Sequence, residues 1–524
     1  MTQQNSTLHT RAKSMSRQWL VVFSGKVSKQ VLSFFIGVLI AKTLGSAVLG
    51  NYQLGIVVIH VLTMLTVMGA DRGLIRFLPI FIREHKGKAK HIIRSSLGLS
   101  FAASVLLAVL LYIFGPKLGI VLFKTESAGL ALRAFAFYLP FFTLFRMLIA
   151  VFDGFKRADV ESIIESIVIP ALYILLLIGV SLLSPRLTSV ITARILVYII
   201  GCGILLRLVF KYFKDITDSV DQPVDLKAFY IYSAPLFLIG TLNLLMNHVD
   251  ILLTGYYLES SHVGIYTIAQ RLAMLSLLAL QAINVIFSPH ISELFHEQKI
   301  KEMERLFKLF TRWVYSFSLL VFVFYVLFKN QLLAFFGHEF LTGQSALLLL
   351  TLGQMINGLG GPNGTILVMT GKQKWMLWNS VLMLFLNTLF NILFIPRWGI
   401  TGAALATGTS IVVVNILKTL QVYYEFRIHP YDWSYLGNTA VIVAAGGIVT
   451  ALQQLIQLEG LPGAMAGGII LLTLCVGGYL TLGKSKDDKM IITLIQKRLH
   501  RQNQYLHPVS AEILSFIYPD CSYH

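Results

Sequence analysis

Charge is what this chain has least of. Only 13% of its 524 residues are Asp, Glu, Lys or Arg, against 56% hydrophobic residues and a mean hydropathy of +0.72. A soluble protein of that length needs far more polar surface to cover its core. Cysteine is scarce as well: Cys202, Cys475 and Cys521 are scattered and form neither a metal-type spacing nor a disulfide framework. Nucleotide motifs are missing. "GTILVMTGKQ" has the wrong spacing for a phosphate loop and ends in Gln, and "GLGGPN" follows no strand and lacks a final glycine. His290, Glu293 and His296 do not follow the H-E-x-x-H pattern, so no metal site is expected. With no ATP motif, work must draw on an ion, voltage or cargo gradient. The short alternating segments of an outer-membrane barrel are also absent.

What is present is a series of apolar runs, each long enough to cross about 30 Å of hydrocarbon. They predict an all-α polytopic membrane protein with fourteen spans, near 19–43, 50–70, 95–115, 129–152, 161–183, 190–210, 229–254, 265–288, 307–328, 346–370, 376–395, 401–422, 437–455 and 466–483. "RAKSMSRQWLVVFSGKVSKQ" starts like a signal peptide, but Lys26 and Lys29 interrupt its apolar region and no small-residue cleavage site follows. A retained first helix is expected.

The net charge of +18 could suggest nucleic acid, but its placement argues otherwise. Most basic residues fall in the inner loops and tails, including "REHKGKAKHIIR" (83–94) and "EQKIKEMERLFK" (297–308). The outer loops carry Lys117, Lys124, Arg186, Lys329 and Arg397. That asymmetry predicts cytoplasmic N- and C-termini and an inner-membrane location, with membrane lipids and not nucleic acid as the surroundings.

Four weak internal matches recur in order. "VLGNYQLG" (48–55) resembles "HVGIYTIA" (262–269) at an offset of 214, and Pro79 in "LPIFIRE" matches Pro289 in "SPHISEL" at 210. "FDGFK" matches "MTGKQ", and "SPRLTSVITA" matches "IPRWGITGAA". The repeat holds six spans, and an even number keeps both copies in the same orientation, related by a pseudo-twofold along the membrane normal. The expected organisation is a tail 1–18, an N-lobe 19–210, a cytoplasmic linker 211–228, a C-lobe 229–422, spans 13–14 at 423–483, and a polar tail 484–524. Within that tail, residues 490–502 could form an amphipathic surface helix.

"IAKTLGSAVLGNYQLG", "GADRGLIRF", "HVGIYTIAQRLAML", "FSPHISELF", "FFGHEFLTGQSALLLLTLGQMINGLGGPNGTILVMTGK" and "IPRWGITGAALAT" together resemble the polysaccharide-flippase branch of the multidrug/oligosaccharidyl-lipid/polysaccharide exporter superfamily, which holds the Wzx-type flippases. The resemblance covers spans 1–12 and thins over 13–14. It implies two six-helix bundles around a central cavity and a polyprenyl-linked oligosaccharide as cargo. A polymerase and glycosyltransferases of the same pathway are implied as partners, and the chain is not expected to be an enzyme. The rival readings are a peptidoglycan-precursor flippase and an ion-coupled small-molecule exporter of the same superfamily.

Residues three and four apart share a helix face. Lys26, Lys29, Ser33, Gly37 and Ala41 form one such stripe on span 1, and Asn243, Asn247, Asp250 and Thr254 another on span 7. Span 8 carries Tyr266, Gln270, Leu277, Gln281, Asn284 and Ser288, with Arg271 alongside, and span 10 carries Gln354 and Asn357. Lys29 lies about 15 Å past Trp19, near mid-bilayer, where an ionised group costs about 2.5–3.5 kcal/mol even on lenient scales. Lys26, Lys29, Arg72, Arg76, Arg146 and Arg271 are the candidate cationic path for a lipid-linked diphosphate. Arg72 and Arg76 could equally snorkel into the interface, and Arg146 could pair structurally with Asp153. Asp250 is a candidate for coupling to Na+ or H+, or for neutralising a basic neighbour. The five glycines and one proline of "GQMINGLGGPNG" (353–364) suggest either a moving segment or close helix packing.

Overall fold

A straight helix of the 66 residues Thr2–Val67 would be about 100 Å long, three times the hydrocarbon thickness. It does not run straight. Gly45 takes φ 80° and ψ 178°, a conformation that only glycine adopts without strain, and the chain folds back there. The Arg271 guanidinium shows the reversal directly: it donates to the Ser33 carbonyl at 3.0 Å and to Gln53 Oε1 at 3.2 Å, although these residues are twenty apart in sequence. Gln373–Phe426 behaves likewise. Gly399 (φ 58°, ψ −136°) breaks it, and Asn379 and Gln421 then face each other through two amide hydrogen bonds of 2.7 and 3.0 Å.

The structure, a computed structural model, describes residues 2–183, 186–214, 220, 222–456 and 460–482. The Lys26 side chain, the tail from 484 and the amphipathic segment 490–502 lie outside the described residues, as does part of the linker. Among the described residues, ten helices are long and apolar enough to span a membrane, or eleven when the bent pair Glu126–Phe135 and Tyr138–Gly154 counts as one span. Two of the ten are the folded-back helices, each of which supplies two spans. Span 10 is broken into Gln344–Gly360 and Asn363–Met369 by Gly361 at φ 60°. These bring the count to fourteen among the described residues, in a multi-pass, all-α membrane fold. Spans 13 and 14 are Ser434–Ile456 and Gly460–Leu482, and both pack on span 9, Ile300–Ala334.

The two lobes are joined unequally from end to end. In the outer half, taken as the half away from the basic loops, one apolar core crosses both lobes and includes Leu49, Tyr52, Val57, Val263, Ile268, Leu347 and Ala403. In the inner half there are two separate cores. One is built around Leu74, Leu78 and Met147 of the N-lobe and takes in Phe229 of span 7; the other is built around Phe287, Phe307 and Ile366 of the C-lobe.

The outer junction shows the internal repeat. Gly50 lies against the Ser260 carbonyl, and Gly264 lies against the Ser46 carbonyl. Gly50 and Gly264 are 214 residues apart, as are Ser46 and Ser260, and that is the offset of the first sequence match. The contact is therefore its own mirror about a pseudo-twofold. Glu339, from the outer connection of the C-lobe, tightens it by accepting the Ser46 N–H at 2.6 Å.

Candidate functional site

Two seams leave this junction. Span 2, continued by Ala70–Glu84, follows span 7 (Leu226–Tyr257) for its whole length. Leu54 packs on Gly255, the His60 and His248 rings lie 5.7 Å apart, Met64 covers Gly240, and Gly69 meets the Ser233 carbonyl. Phe77 then packs on Phe229 and Tyr232, with ring centroids 5.8 and 5.2 Å away.

The other seam, between spans 1 and 8, separates below Arg271. Span 1 leans into its own lobe: Gly25 lies against Ser162, and Lys29 donates to Glu165 at 2.5 Å. Glu165 reaches it from a π-helical turn, 164–168, in span 5. Pro170 lacks the N–H that would bond residue 166, and the Ile169 N–H reaches Ile164 O instead. Span 8 bends at a 3₁₀ turn, 275–277, and its inner half packs within the C-lobe, where Thr365 donates to Asn284 at 2.8 Å. A cleft thus opens toward the basic side, closed above by Arg271, which sits beside Gly37.

The candidate cations take different situations. Arg72 and Arg76 are exposed at the inner mouth; Arg76 lies 4.1 Å over the Tyr232 ring, and the Arg72 guanidinium is close enough to Asp153 for their charges to interact. Arg146 is paired, but with Asp71 at 2.8 Å and not with Asp153. The expected pair fails because residues seven apart are about 10 Å distant along one helix, whereas the first turn of Ala70–Glu84 lies directly beside Arg146. Lys29 and Arg271 are engaged as described above.

The polar stripes converge on a different place from the cleft. A chamber of about 230 Å³ lies inside the C-lobe, bounded by spans 7, 8, 10, 11 and 12. It brings together Asn247, Asp250, Gln270, Gln354 and Asn357, five of the residues predicted to line a cavity. Tyr266 joins them through its hydroxyl, which donates to Asp250 at 2.8 Å, and Gln270 donates to the same carboxylate oxygen at 2.9 Å. Ser33, Gln281, Asn284 and Asn243 are not in the chamber, and the Asn243 amide bonds its own helix at Ile239. Spans 11 and 12 add Asn379, Asn387, Thr407, Asn415 and Lys418, which the sequence reading did not single out. Their fourfold spacing (379, 387, 391 and 407, 411, 415) was the available signal. Arg194 was missed too. It is half-buried in the N-lobe, donates to the Tyr52 hydroxyl at 2.7 Å, and lies 5.3–5.8 Å from four tyrosine rings, which replace a carboxylate as its partners.

Residues 15–295 match the polysaccharide biosynthesis protein family. The chain belongs to that family. Residues 235–393 also match the MatE family, and the two family matches together place the chain in the multidrug/oligosaccharidyl-lipid/polysaccharide exporter superfamily. A probable low-salt glycan biosynthesis flippase, Agl15, of Haloferax volcanii is 22% identical over 280 residues, covering 52% of this chain and 58% of the relative. The capsular polysaccharide biosynthesis protein CapF of Staphylococcus aureus is 24% identical over 203 residues, covering 38% of this chain and 50% of the relative. The chain thus spans about half the length of the curated relatives it matches. The solved structure of the lipid II flippase MurJ in an inward closed conformation superposes with a TM-score of 0.69 at 17% identity, covering 88% of this chain and 99% of that one.

Proposed function

We propose that this family member is a flippase that moves a polyprenyl-diphosphate-linked oligosaccharide across the inner membrane by alternating access, in cell-surface polysaccharide synthesis, with both termini in the cytoplasm. One observation carries the reading: the lobes share one core outside, while inside the C-lobe keeps a core of its own and the N-lobe core reaches across only at Phe229 of span 7, over a mouth that presents Arg72 and Arg76. Guanidinium groups grip phosphate oxygens in pairs, so a diphosphate head entering from the cytoplasm meets them first. The parting of spans 1 and 8 leaves a lateral way for a prenyl chain to stay in lipid while its sugars occupy the interior. The relatives named for glycan and capsule biosynthesis support this class of cargo.

Asp250 is the coupling group in this reading. Its carboxylate lies beside Tyr266, Gln270 and Thr407, and the neighbouring Asn391 has a buried Oδ1 without a partner among the described residues. One carboxylate among neutral oxygens suits Na+ or a proton.

The test is reconstitution in vesicles with a fluorescent prenyl-diphosphate oligosaccharide, followed by quenching from outside. Wild-type protein exposes the probe faster than empty vesicles. Both Arg72→Ala/Arg76→Ala and Lys29→Ala/Arg271→Ala slow it at least tenfold. Unchanged flipping in both double variants would sink the cationic path.

A further inference from the structure

The C-lobe chamber is charged at both ends. Asp250 lies at the level of Thr407, and Lys418 follows eleven residues further along span 12, about 16 Å inward. The Lys418 side chain lines the chamber and makes no ion pair or hydrogen bond among the described residues. Glu425, two turns further on, is already taken, with Lys372 at 2.6 Å and the Trp375 indole N–H at 3.2 Å. An ammonium that lines an enclosed polar wall with no acid beside it suits an anionic guest.

The wall around it is amide-rich. Asn357 donates to Gln354 at 3.1 Å, and Asn415 bonds its own helix while its Oδ1 stays buried and unpartnered. Each amide offers donors and an acceptor, which is what vicinal sugar hydroxyls require. Met246, Met274 and Met383 supply apolar patches between them.

We propose that this chamber seats one acidic sugar of the cargo, with its carboxylate on the Lys418 ammonium and its hydroxyls on the surrounding amides. The assignment rests on the flippase reading and narrows its substrate to glycans that contain a uronic acid. A carboxylate fits better than a phosphate. The chamber holds a single ammonium and no guanidinium fork, and a dianion would be repelled by Asp250 at the far end.

The experiment measures binding of trigalacturonate and of neutral galactotriose to the purified full-length protein by calorimetry. Wild type should prefer the acidic trisaccharide about tenfold, the effect of one charge-assisted hydrogen bond. Lys418→Gln should abolish the preference, and Lys418→Arg should keep it. Equal binding of the two sugars by wild type, or a preference that survives Lys418→Gln, overturns the assignment. If the preference holds but prenyl-diphosphate-linked probes carrying the same sugars are not flipped in vesicles, the flippase reading fails and the acidic-sugar site stands.

Discussion

The outer junction makes a quantitative prediction. A Cβ built on Gly50 would come within 2.6 Å of the Ser260 carbonyl carbon and 3.0 Å of the Gly264 nitrogen. One built on Gly264 would come within 2.8 Å of the Ser46 carbonyl carbon and 3.1 Å of its Cα. All of these are backbone atoms, so no rotamer change relieves the clash. Overpacking of this kind costs about 1–3 kcal/mol, and the cost falls only on the state in which the lobes touch outside. Gly50→Ala or Gly264→Ala should therefore raise the ratio of outward-open to outward-closed protein by roughly 5–150-fold. Spin labels on Glu126 and Thr342, in a background with its three native cysteines replaced by serine, report the outer separation by pulsed dipolar spectroscopy. Each variant should add a long-distance component, and the double variant a larger one. Gly98→Ala is the control, because a Cβ there meets nothing within 4 Å. Distance distributions that stay identical in wild type, Gly264→Ala and Gly98→Ala would refute the gate.

Glu339→Gln should shift the same labels in the same direction but less, by about two- to fivefold, since Glu339 is exposed and its bond to Ser46 is discounted by solvent. Gly45→Ala and Gly399→Ala should each lower the melting midpoint in detergent, because both positions hold conformations costing about 1–3 kcal/mol for any other residue. Removing either partner of the Asp71–Arg146 pair should destabilise the protein by about 1–3 kcal/mol, and Asp71→Asn/Arg146→Gln should cost less than the sum of the single changes.

The sequence was most informative where the membrane or the backbone imposes a period. Hydrocarbon thickness sets span length, so the fourteen spans could be read directly, including the two pairs fused into continuous helices at Gly45 and Gly399. The repeat could be read because Gly50 and Gly264 perform one steric task twice. Partners across helices could not. Arg146 and Asp153 share a face, yet Asp71, 75 residues away in sequence, is the acid that arrives, and nothing in local spacing encodes that approach. Glu165 is a similar case. It meets Lys29 only because Pro170 forces a π turn that rotates it off the ordinary helical register. The stripes on spans 7, 8 and 10 were visible individually, but periodicity gives a face and not the direction it points. They turn into the C-lobe and not toward the cleft.

That separation divides the work. The cleft opens toward the basic side and, in the proposed cycle, lies between bodies that move relative to each other. The chamber lies within one body, so its lining changes little when the lobes rock. In the proposed cycle a diphosphate is held and released each time, which suits exposed guanidinium groups at a mouth that closes. Recognition of a sugar gains more from walls that stay fixed, because pre-formed amides lose little freedom on binding. The seam between spans 2 and 7, zipped from Leu54 to Phe77, is the natural hinge for such rocking. The seam between spans 1 and 8 is the side that opens. Arg271, bonded to Ser33 and Gln53 across that side, is where the two lobes first part. Its loss should therefore ease opening as well as weaken any hold on the cargo. Lys29→Ala should do only the second, and dipolar distances measured on the two single variants separate the roles.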